Sequence, residues 1–501
     1  MSVCTPFAQQ FSIGRMHMTE ALLLMRVGEP MSLCIASKGV DVKVHDGGYY
    51  REWQSFVEAS GGLPIQIRME EAAAFQGQMQ QARKQYLPVA HPSPVFDAKA
   101  LAAVAVVALG IRDLVVGLSD WLFDGDTRAW LSSQGRSESE QTFLEAFLSP
   151  RLLHISQQFC RPDFLIGEHG TYLAEVNFGT AIGGLALLDR SAQAFSESAF
   201  SRFLSGKRGY QIELTSTMPV WRDALKPLLR LPPGHVFFIA VADPDEVLNP
   251  RGHIVDFVDA VQAFGYEARL GWLQCLRTDD LGVYVGDQRV AVVYAMCTYR
   301  EMVEHDVPTS LLLRLADLDA QERVDFMGSP ANVLYDSKVN LALLTEAADA
   351  GRLPERAADL VSRYLPATYL LTPATAEQCK SDPSEWVLKP TDDYGGAKVI
   401  AGDAVSGVAW SEALERALGQ ANTSPYVVQR RVHPLWTRHD GAETLAFCLS
   451  PVVLGEGVGG CLLRQAPHIG STPIINVGQG GAAGLAIGLR PAGASNVRGA
   501  A

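Results

Sequence analysis

The chain has 501 residues, of which 48% are hydrophobic and 19% are charged, and its formal net charge is −13. This length allows two or three domains with a large core, and the composition is that of a globular protein rather than a disordered one. The acidic balance, without a long Lys/Arg run, argues against a nucleic-acid partner.

The eight cysteines form no Cys-x-x-Cys motif and lie beside no histidines at zinc spacing. Scattered cysteines in a large chain are typical of reduced thiols, and the chain does not start with a secretory signal pattern, so we expect a cytoplasmic protein. The most apolar run, 100–118, is interrupted by Arg112 and Asp113. It is short for a bilayer, so it predicts a buried helix and no membrane span.

The first part of the chain, 1–150, is predicted to be mainly helical. Its composition favours helices over 70–86, 98–117 and 138–147. We find no catalytic motif in this part. We therefore expect a scaffold that covers a later sheet.

Two short strands around a tight turn are predicted next, over 164–166 and 172–176. We expect a three-residue loop over 168–170, with Gly170 in the left-handed conformation that glycine adopts readily. The spacing then sets the register of the two strands.

In that register, Asp163 lies opposite Glu175 and Arg161 lies opposite Asn177. Side chains alternate along a strand, so the four polar groups would share one face. Two carboxylates and an amide oxygen are hard ligands of the kind that Mg²⁺ prefers. The alternative is a surface hairpin with a polar face.

The segment 207–330 alternates strands and helices. Buried strands are predicted over 235–241 and 289–294, with a helix over 254–264 and another strand over 267–270. This order predicts a small α/β domain.

The segment 331–490 contains two lysines next to regular structure. Lys338 lies at the start of a predicted helix, for which Asp336 or Ser337 is a plausible cap, and Lys389 ends a predicted strand shortly before Gly395-Gly396. A lysine beside a glycine turn can hold a triphosphate, although the motif is not a Walker loop. An ordinary hairpin is the alternative.

These pieces together resemble the ATP-grasp superfamily, and within it the circularly permuted branch that includes the synthetase part of glutathionylspermidine synthetase and related carboxylate–amine ligases. In that branch the metal-binding hairpin precedes the nucleotide-binding lysines. Arg161-x-Asp163 followed by Glu175-x-Asn177 looks like its Arg-x-Asp and Glu-x-Asn signature. The resemblance covers roughly residues 150 to 490.

The resemblance implies a role for each candidate residue. It assigns metal binding to Asp163, Glu175 and Asn177, and catalysis to Arg161 and Arg464. It assigns nucleotide binding to Lys338, Lys389, Tyr394, Gly395, Gly396, Gln429, Arg430 and Val432. The backbone of 429–432 would meet adenine, and the glycine pair would cover the phosphates.

The implied reaction is ADP-forming. With ATP and Mg²⁺ as cofactors, a carboxylate becomes an acyl phosphate, which an amine then attacks. Arg161 would face the acyl phosphate and the tetrahedral intermediate, where negative charge develops. The expected partners are a small carboxylate and an amine of the amino acid, peptide or polyamine type, with no nucleic acid and no membrane; a homodimer is left open.

The implied fold class is α/β (α+β), a circularly permuted ATP-grasp fold with a small pre-ATP-grasp-like domain. The predicted parts are a helical N-terminal region (1–150), the metal-binding hairpin of the core (151–206), the small α/β domain (207–330), the nucleotide-binding region (331–490) and a flexible tail (491–501).

Some features depart from the family. The N-terminal region is not a recognisable amidase, Cys448 and Ser450 stand where some relatives carry an acid, and Arg430-Arg431 is unusually basic for the hinge. Two other functions remain open, namely an ATP-binding module without catalysis and a phosphotransferase that stops at a phosphorylated product.

Overall fold

The computed structural model describes residues 51–59, 77, 88–90, 92–230, 235–392, 398–420, 425–439, 443–467, 475, 477 and 480–492. These residues belong to the unit Val42–Ala501. The predicted helix over 70–86 lies outside them except for Gly77, and so do Tyr394, Gly395 and Gly396 and the predicted tail beyond residue 492.

The helices of the described part follow one another along the chain as α1 (Arg51–Ala59), α2 (Ala98–Val116), α3 (Leu118–Phe123), α4 (Thr127–Ser133), α5 (Glu138–Glu145), α6 (Pro150–Gln157), α7 (Leu185–Glu197), α8 (Ala199–Gly206), α9 (Thr217–Leu225), α10 (Asp245–Leu248), α11 (Gly252–Ala263), α12 (Tyr299–Glu304), α13 (Thr309–Ala320), α14 (Val333–Asp336), α15 (Val339–Asp349), α16 (Glu355–Tyr364), α17 (Pro373–Ser381) and α18 (Gly407–Gly419).

The strands are β1 (Val95–Asp97), β2 (Phe159–Gly167), β3 (Gly170–Phe178), β4 (Tyr210–Glu213), β5 (Val236–Val241), β6 (Glu267–Trp272), β7 (Arg277–Thr278), β8 (Val283–Val285), β9 (Gln288–Ala295), β10 (Asp325–Met327), β11 (Thr368–Leu370), β12 (Trp386–Pro390), β13 (Ile400–Ala401), β14 (Tyr426–Arg430), β15 (Thr437–His439), β16 (Glu443–Leu454), β17 (Gly457–Pro467), β18 (Ala482–Leu485) and β19 (Ile487–Pro491).

Four sheets are formed by these strands. The large sheet has the order β18-β17-β16-β2-β3, with β15 added to β16, and the small sheet has the order β11-β14-β12-β13. A third sheet, β6-β5-β9-β8-β7 with β10 on β9, pairs β5 in parallel with both β6 and β9. Strands β1, β19 and β4 form the fourth. The predicted mixed α/β class is confirmed.

The large sheet joins two distant parts of the chain. Strands β2 and β3 come from its first half, and β16 to β18 come from its end, with β16 antiparallel to β2. The small sheet lies between them in sequence, and one of its faces has its own core. Trp386, Leu388 and Val428 pack there against helices α17 and α18. Because side chains alternate, Lys389 and Gln429 lie on the opposite face.

The segment Ala98–Phe123 is the one part of the described chain that is long and apolar enough to cross a membrane, by length and composition only. Half of its most apolar window is buried inside the protein. Within α2, the buried Arg112 forms ion pairs with Asp113 at 2.7 Å and with Glu456 at 3.5 Å. Arg112 also donates to the carbonyl of Gly455 in the β16–β17 turn. The helix therefore packs as a core helix of this fold.

A buried ion network holds β10 in the third sheet, where it pairs in parallel with β9. The fully buried carboxylate of Asp325 lies 2.7 Å from Arg151 Nη2 and 2.9 Å from Arg230 Nε. The second carboxylate, Asp319, pairs with the same two arginines at 3.2 and 2.8 Å. The two carboxylates together thus balance the positive charges of the two arginines, and neither carboxylate could do so alone.

We expect Asp325→Ala to lower the free energy of unfolding by about 3–5 kcal/mol, the usual loss when one partner of a buried ion pair is removed. Urea unfolding measures this loss. Asp317→Ala on α13 is the control, because Asp317 pairs with Arg314 and its side chain is 52% exposed. The control should change stability by at most about 1 kcal/mol. Equal losses in the two variants would contradict a structural role for the network.

Candidate functional site

The predicted register of the hairpin is observed. Arg161 pairs with Asn177 and Asp163 pairs with Glu175 across β2 and β3. All four residues lie within the two strands, at the end of the large sheet where β3 is the edge strand. The residue types that the sequence singled out are therefore brought together.

The predicted loop was wrong in detail. The turn has two residues, Glu168 and His169, because Gly167 pairs directly with Gly170. Gly170 is not among the residues with positive φ. A register shift beside Asp163 leaves Ala174 unpaired in β3 and offsets the shorter turn. A β-bulge of this kind changes the register by one residue, so two errors cancelled.

The side chains of the hairpin contact one another as predicted for a shared face. Arg161 Nε lies 3.4 Å from Asp163 Oδ1. Asn177 Nδ2 donates to Asp163 Oδ2 at 3.3 Å and to the carbonyl of Arg161 at 3.1 Å. The Arg161 guanidinium also donates to the carbonyl of Ile182, which anchors the loop after β3.

Arg464 enters the site from β17. It pairs with Cys448 across β16 and β17, and its guanidinium contacts Asp163 Oδ2 directly. It also donates to Ser450 Oγ at 3.1 Å and to Cys448 Sγ at 3.4 Å. Burial alone would raise the pKa of Asp163, but Arg464 and Arg161 hold that pKa well below its usual range. Asp163 is therefore an ionised carboxylate.

Lys338 reaches the site from between two helices. The helix that was predicted to start near Lys338 is α15, which begins at Val339, and the short helix α14 ends just before it at Asp336. Lys338 Nζ forms an ion pair with Glu175 Oε2 at 3.3 Å. Its backbone N–H donates to the carbonyl of Thr391 at 3.0 Å. Lys338 thus connects the large sheet to the end of β12.

Lys389 reaches the same place from the small sheet. Its Nζ donates to the carbonyl of Ala174 at 3.1 Å and to Gln429 Oε1 at 2.6 Å. Gln429 in turn donates to Thr368 Oγ1 at 3.0 Å, which fixes its amide. Burial lowers the pKa of Lys389 to about 8, with Glu175 opposing that shift. The side chain of Gln429 therefore orients Lys389, the residue predicted to bind phosphate. The sequence did not indicate this contact.

The predicted adenine hinge is partly occupied by contacts within the protein. The N–H groups of Arg430 and Arg431 donate to the carbonyls of Ala367 and Glu385, each at 2.8 Å. The Arg430 guanidinium lies over the Trp386 ring, 4.4 Å from its centroid, and so faces away from Lys389. Adenine could therefore accept hydrogen bonds from these two N–H groups only by displacing the carbonyls of Ala367 and Glu385.

A cleft of about 250 Å³ adjoins the hinge. Its walls are the turn of the hairpin, the end of α16 and the hinge itself, including Arg431 and Val432. Arg431 lies 3.5 Å from Asp403, and its Nη2 is buried without a hydrogen-bond partner. The basic hinge that the sequence singled out therefore places a buried guanidinium beside a cavity.

Asp336 has a different role from the helix cap for which it and Ser337 were the two candidates. Ser337 Oγ accepts a hydrogen bond from the Val339 N–H at 3.4 Å, whereas the Asp336 carboxylate accepts one from the N–H of Phe178, the residue after Asn177. Burial raises the pKa of Asp336 to about 8, against the opposing effects of that N–H and of Lys338. Asp336 therefore ties the segment carrying Lys338 to the end of β3.

A second unpredicted contact comes from the helical N-terminal region. Arg136 bonds to Glu140 at 2.7 Å and to Asp392 at 2.9 Å. Asp392 follows β12, two residues after its end at Pro390. The helical region was expected to be only a scaffold, yet it holds the chain next to Lys389. A single arginine among many gave no signal for this.

Whether the predicted magnesium site can hold a cation depends on the donor atoms that its residues supply. Within the described ranges, no three His, Cys, Asp or Glu side chains form a metal-binding group. The triad of Asp163, Glu175 and Asn177 has two carboxylates and an amide, and Asp163 Oδ1 is buried without a hydrogen bond. Such an oxygen beside a second carboxylate fits a hard cation such as Mg²⁺.

Among the side chains that the structure describes, positive charge exceeds negative charge at this site. Four cationic side chains (Arg161, Lys338, Lys389 and Arg464) meet the carboxylates of Asp163 and Glu175. The Nε atoms of Arg161 and Arg464 are both buried without a hydrogen bond. Both arginines pair with the single carboxylate of Asp163, and buried charge that is incompletely compensated is costly. The arrangement therefore suits an anionic ligand.

The comparisons with known proteins give a fold. The chain is similar to a glutathione synthetase-like effector from Globodera pallida in its apo form, with a TM-score of 0.52 and 13% identity over 84% of this chain and 97% of that chain. A candidate γ-glutamylcysteine synthetase from Methylobacillus flagellatus KT matches with a TM-score of 0.37 and 10% identity, over 69% of this chain and 84% of that chain. No protein-family model and no curated protein matches.

The first of these likenesses shows a glutathione synthetase-like fold over most of the chain. At this level of identity it shows the fold alone, and the second likeness carries no argument. The roles of the site residues stay predictions that depend on the geometry described above.

Asp336→Asn should change how stability depends on pH. The folded state binds the Asp336 proton more tightly than the unfolded state, whose carboxyl pKa is about 3.9. Wild-type stability therefore falls as the pH rises from that value to about 8.

The asparagine side chain keeps an oxygen that can accept the hydrogen bond from the Phe178 N–H, but it has no carboxyl group that titrates. Its stability relative to wild type should rise by up to about 1.4 kcal/mol per pH unit across the window and level off above it. Urea unfolding of both proteins at a series of pH values measures the difference. A difference that stays constant across the window would contradict the assignment.

Proposed function

We propose that the protein is an ATP-dependent carboxylate–amine ligase of the circularly permuted ATP-grasp type, which forms an amide bond with release of ADP and phosphate. The permuted order is supported by the large sheet, which combines an early hairpin with the last strands of the chain. The glutathione synthetase-like fold is compatible with this proposal.

The excess of buried cations carries the proposal. Arg161 and Arg464 each have a buried N–H that lacks an acceptor, and Lys338 and Lys389 bring ammonium groups from the two sides of the site. Phosphate oxygens are strong acceptors for such charge-assisted hydrogen bonds. A triphosphate between the large and small sheets would accept hydrogen bonds from the two arginines and lie beside both ammonium groups.

In this proposal Asp163, Glu175 and Asn177 would hold Mg²⁺, with Oδ1 of Asp163, which accepts no hydrogen bond, as one ligand. The ion would neutralise phosphate charge during transfer. Asn177 would have to turn its amide oxygen inward, which costs its present hydrogen bond to Asp163 Oδ2. Cys448 and Ser450 contribute no charge, so the second carboxylate is Glu175.

The two arginines have different roles in the proposal. Arg161 lies beside Asp163 and would donate to the phosphoryl group as it is transferred to the carboxylate substrate. Arg464 holds Asp163 ionised and in place, and its free Nε would donate to the acyl phosphate. Positioning and charge neutralisation are what phosphoryl transfer requires most of a protein.

The nucleotide base would lie toward Val432, where the hinge forms a wall of the cleft. The proposed substrates are a small carboxylate and an amine of the amino acid, peptide or polyamine type. No nucleic acid or membrane takes part in the proposed reaction.

The proposal is tested by measuring ADP and phosphate release with ATP, Mg²⁺ and pools of small acids and amines. We expect release that requires both an acid and an amine, together with an amide product by mass spectrometry. AMP and pyrophosphate in a productive reaction would contradict it. A stable phosphorylated product without an amine would favour a phosphotransferase instead.

We expect Lys389→Ala to weaken binding of a non-hydrolysable ATP analogue by about 1.5–3 kcal/mol, the usual contribution of a hydrogen bond to a charged group. Calorimetric titration measures the affinity. Lys380→Ala is the matched control, because Lys380 lies on α17 and pairs with Glu377 at 2.8 Å on the surface. Unchanged affinity in Lys389→Ala, or an equal loss in the control, would remove Lys389 from the nucleotide site.

A further inference from the structure

We propose that the protein closes its own metal site until a nucleotide arrives, with Lys338 as the residue that blocks Glu175. This inference rests on the proposed function and concerns the order of binding at the same site. Nucleotide binds first or together with the metal, and the metal does not bind alone.

Both proposed metal-binding carboxylates are already paired with cations of the protein. Glu175 Oε2 lies 3.3 Å from Lys338 Nζ, and Asp163 Oδ2 contacts Arg464. Arg161 adds a third cation, 3.4 Å from Asp163 Oδ1. The side chains of Lys338 and Arg464 are 8% and 9% exposed, so solvent screens these charges little.

A divalent cation that enters alone would meet this excess of positive charge. It would compete with Lys338 for Glu175, while Arg464 and Arg161 already hold the carboxylate of Asp163. A metal ion bound to these carboxylates would be close to the cationic side chains, and like charges repel strongly where water is excluded. The paired carboxylates are therefore poor metal ligands in the nucleotide-free protein.

A triphosphate changes this balance. Its oxygens can accept hydrogen bonds from Lys338 and from the free Nε atoms of the two arginines. Lys338 can then leave Glu175 for the phosphate, which frees a carboxylate oxygen beside Asp163 Oδ1. Nucleotide and metal should raise each other's affinity by the same factor, typically about 5–150 for coupled sites.

The order of binding can be tested with Mn²⁺ as the probe, because the electron paramagnetic resonance signal of the aqueous ion is lost on binding. We expect wild-type protein without nucleotide to leave the signal of the aqueous ion unchanged. The ATP analogue AMP-PNP also binds Mn²⁺ in solution, so the comparison is with the same mixture without protein. With protein present, AMP-PNP should remove more of the signal than it removes alone, by an amount proportional to the protein. Mn²⁺ binding by nucleotide-free protein that disappears in Glu175→Gln would overturn the inference.

A second measurement uses AMP-PNP in the presence of EDTA, so that no metal is bound. Glu175→Gln should bind this metal-free nucleotide at least as tightly as wild type, because Lys338 no longer has a competing carboxylate. With Mn²⁺ the same variant should lose the added affinity that wild type gains. Glu377→Gln, an exposed partner of Lys380, is the control and should match wild type in both conditions.

Weaker metal-free binding in Glu175→Gln would also overturn the inference, since the carboxylate would then assist the nucleotide directly. The failure of the proposed function looks different. In that case wild-type protein would bind no AMP-PNP in either condition, whatever Mn²⁺ does.

Discussion

The rest of the site depends on how one buried carboxylate is neutralised. Asp163 lies in the large sheet between two arginines, and it stays ionised because Arg464 and Arg161 outweigh the effect of its burial on its pKa. Removing water from these charges is expensive unless each is paired and hydrogen-bonded. The pairing is incomplete, because both arginines keep a buried N–H without an acceptor. Under the proposed function, an anionic ligand such as phosphate would complete this pairing.

The fold explains how distant residues reach this place. Strands β2 and β3 supply Arg161, Asp163 and Glu175, and the late strand β17 supplies Arg464 through its antiparallel pairing in the same sheet. The small sheet faces them with Lys389, because alternation sends its neighbours into a separate core with Trp386 and Trp410. The segment between α14 and α15 then spans the two sheets, held to β3 by the carboxylate of Asp336. The site lies where these parts meet, so its geometry depends on the packing of both sheets.

Much of this could be predicted from the sequence, and the failures have physical reasons. The hairpin register followed from the spacing of polar residues, although the predicted turn was wrong, because a bulge at Ala174 depends on packing that local patterns do not report. The two lysines were found because each lies at the end of a regular element. The side-chain role of Gln429, the link from Arg136 to Asp392 and the true partner of Asp336 were missed, since each joins residues far apart in the chain. Such contacts have no periodicity and no local motif.

The proposed function requires that the cationic side chains of this site bind the phosphates of a nucleotide. A crystal structure with AMP-PNP and Mg²⁺ tests this most directly. The account predicts phosphates between β3 and β12, within hydrogen-bond distance of Lys389 and of the free arginine N–H groups, with Lys338 moved from Glu175 to a phosphate oxygen. A nucleotide bound elsewhere on the protein, with the contact between Lys338 and Glu175 intact, would contradict it.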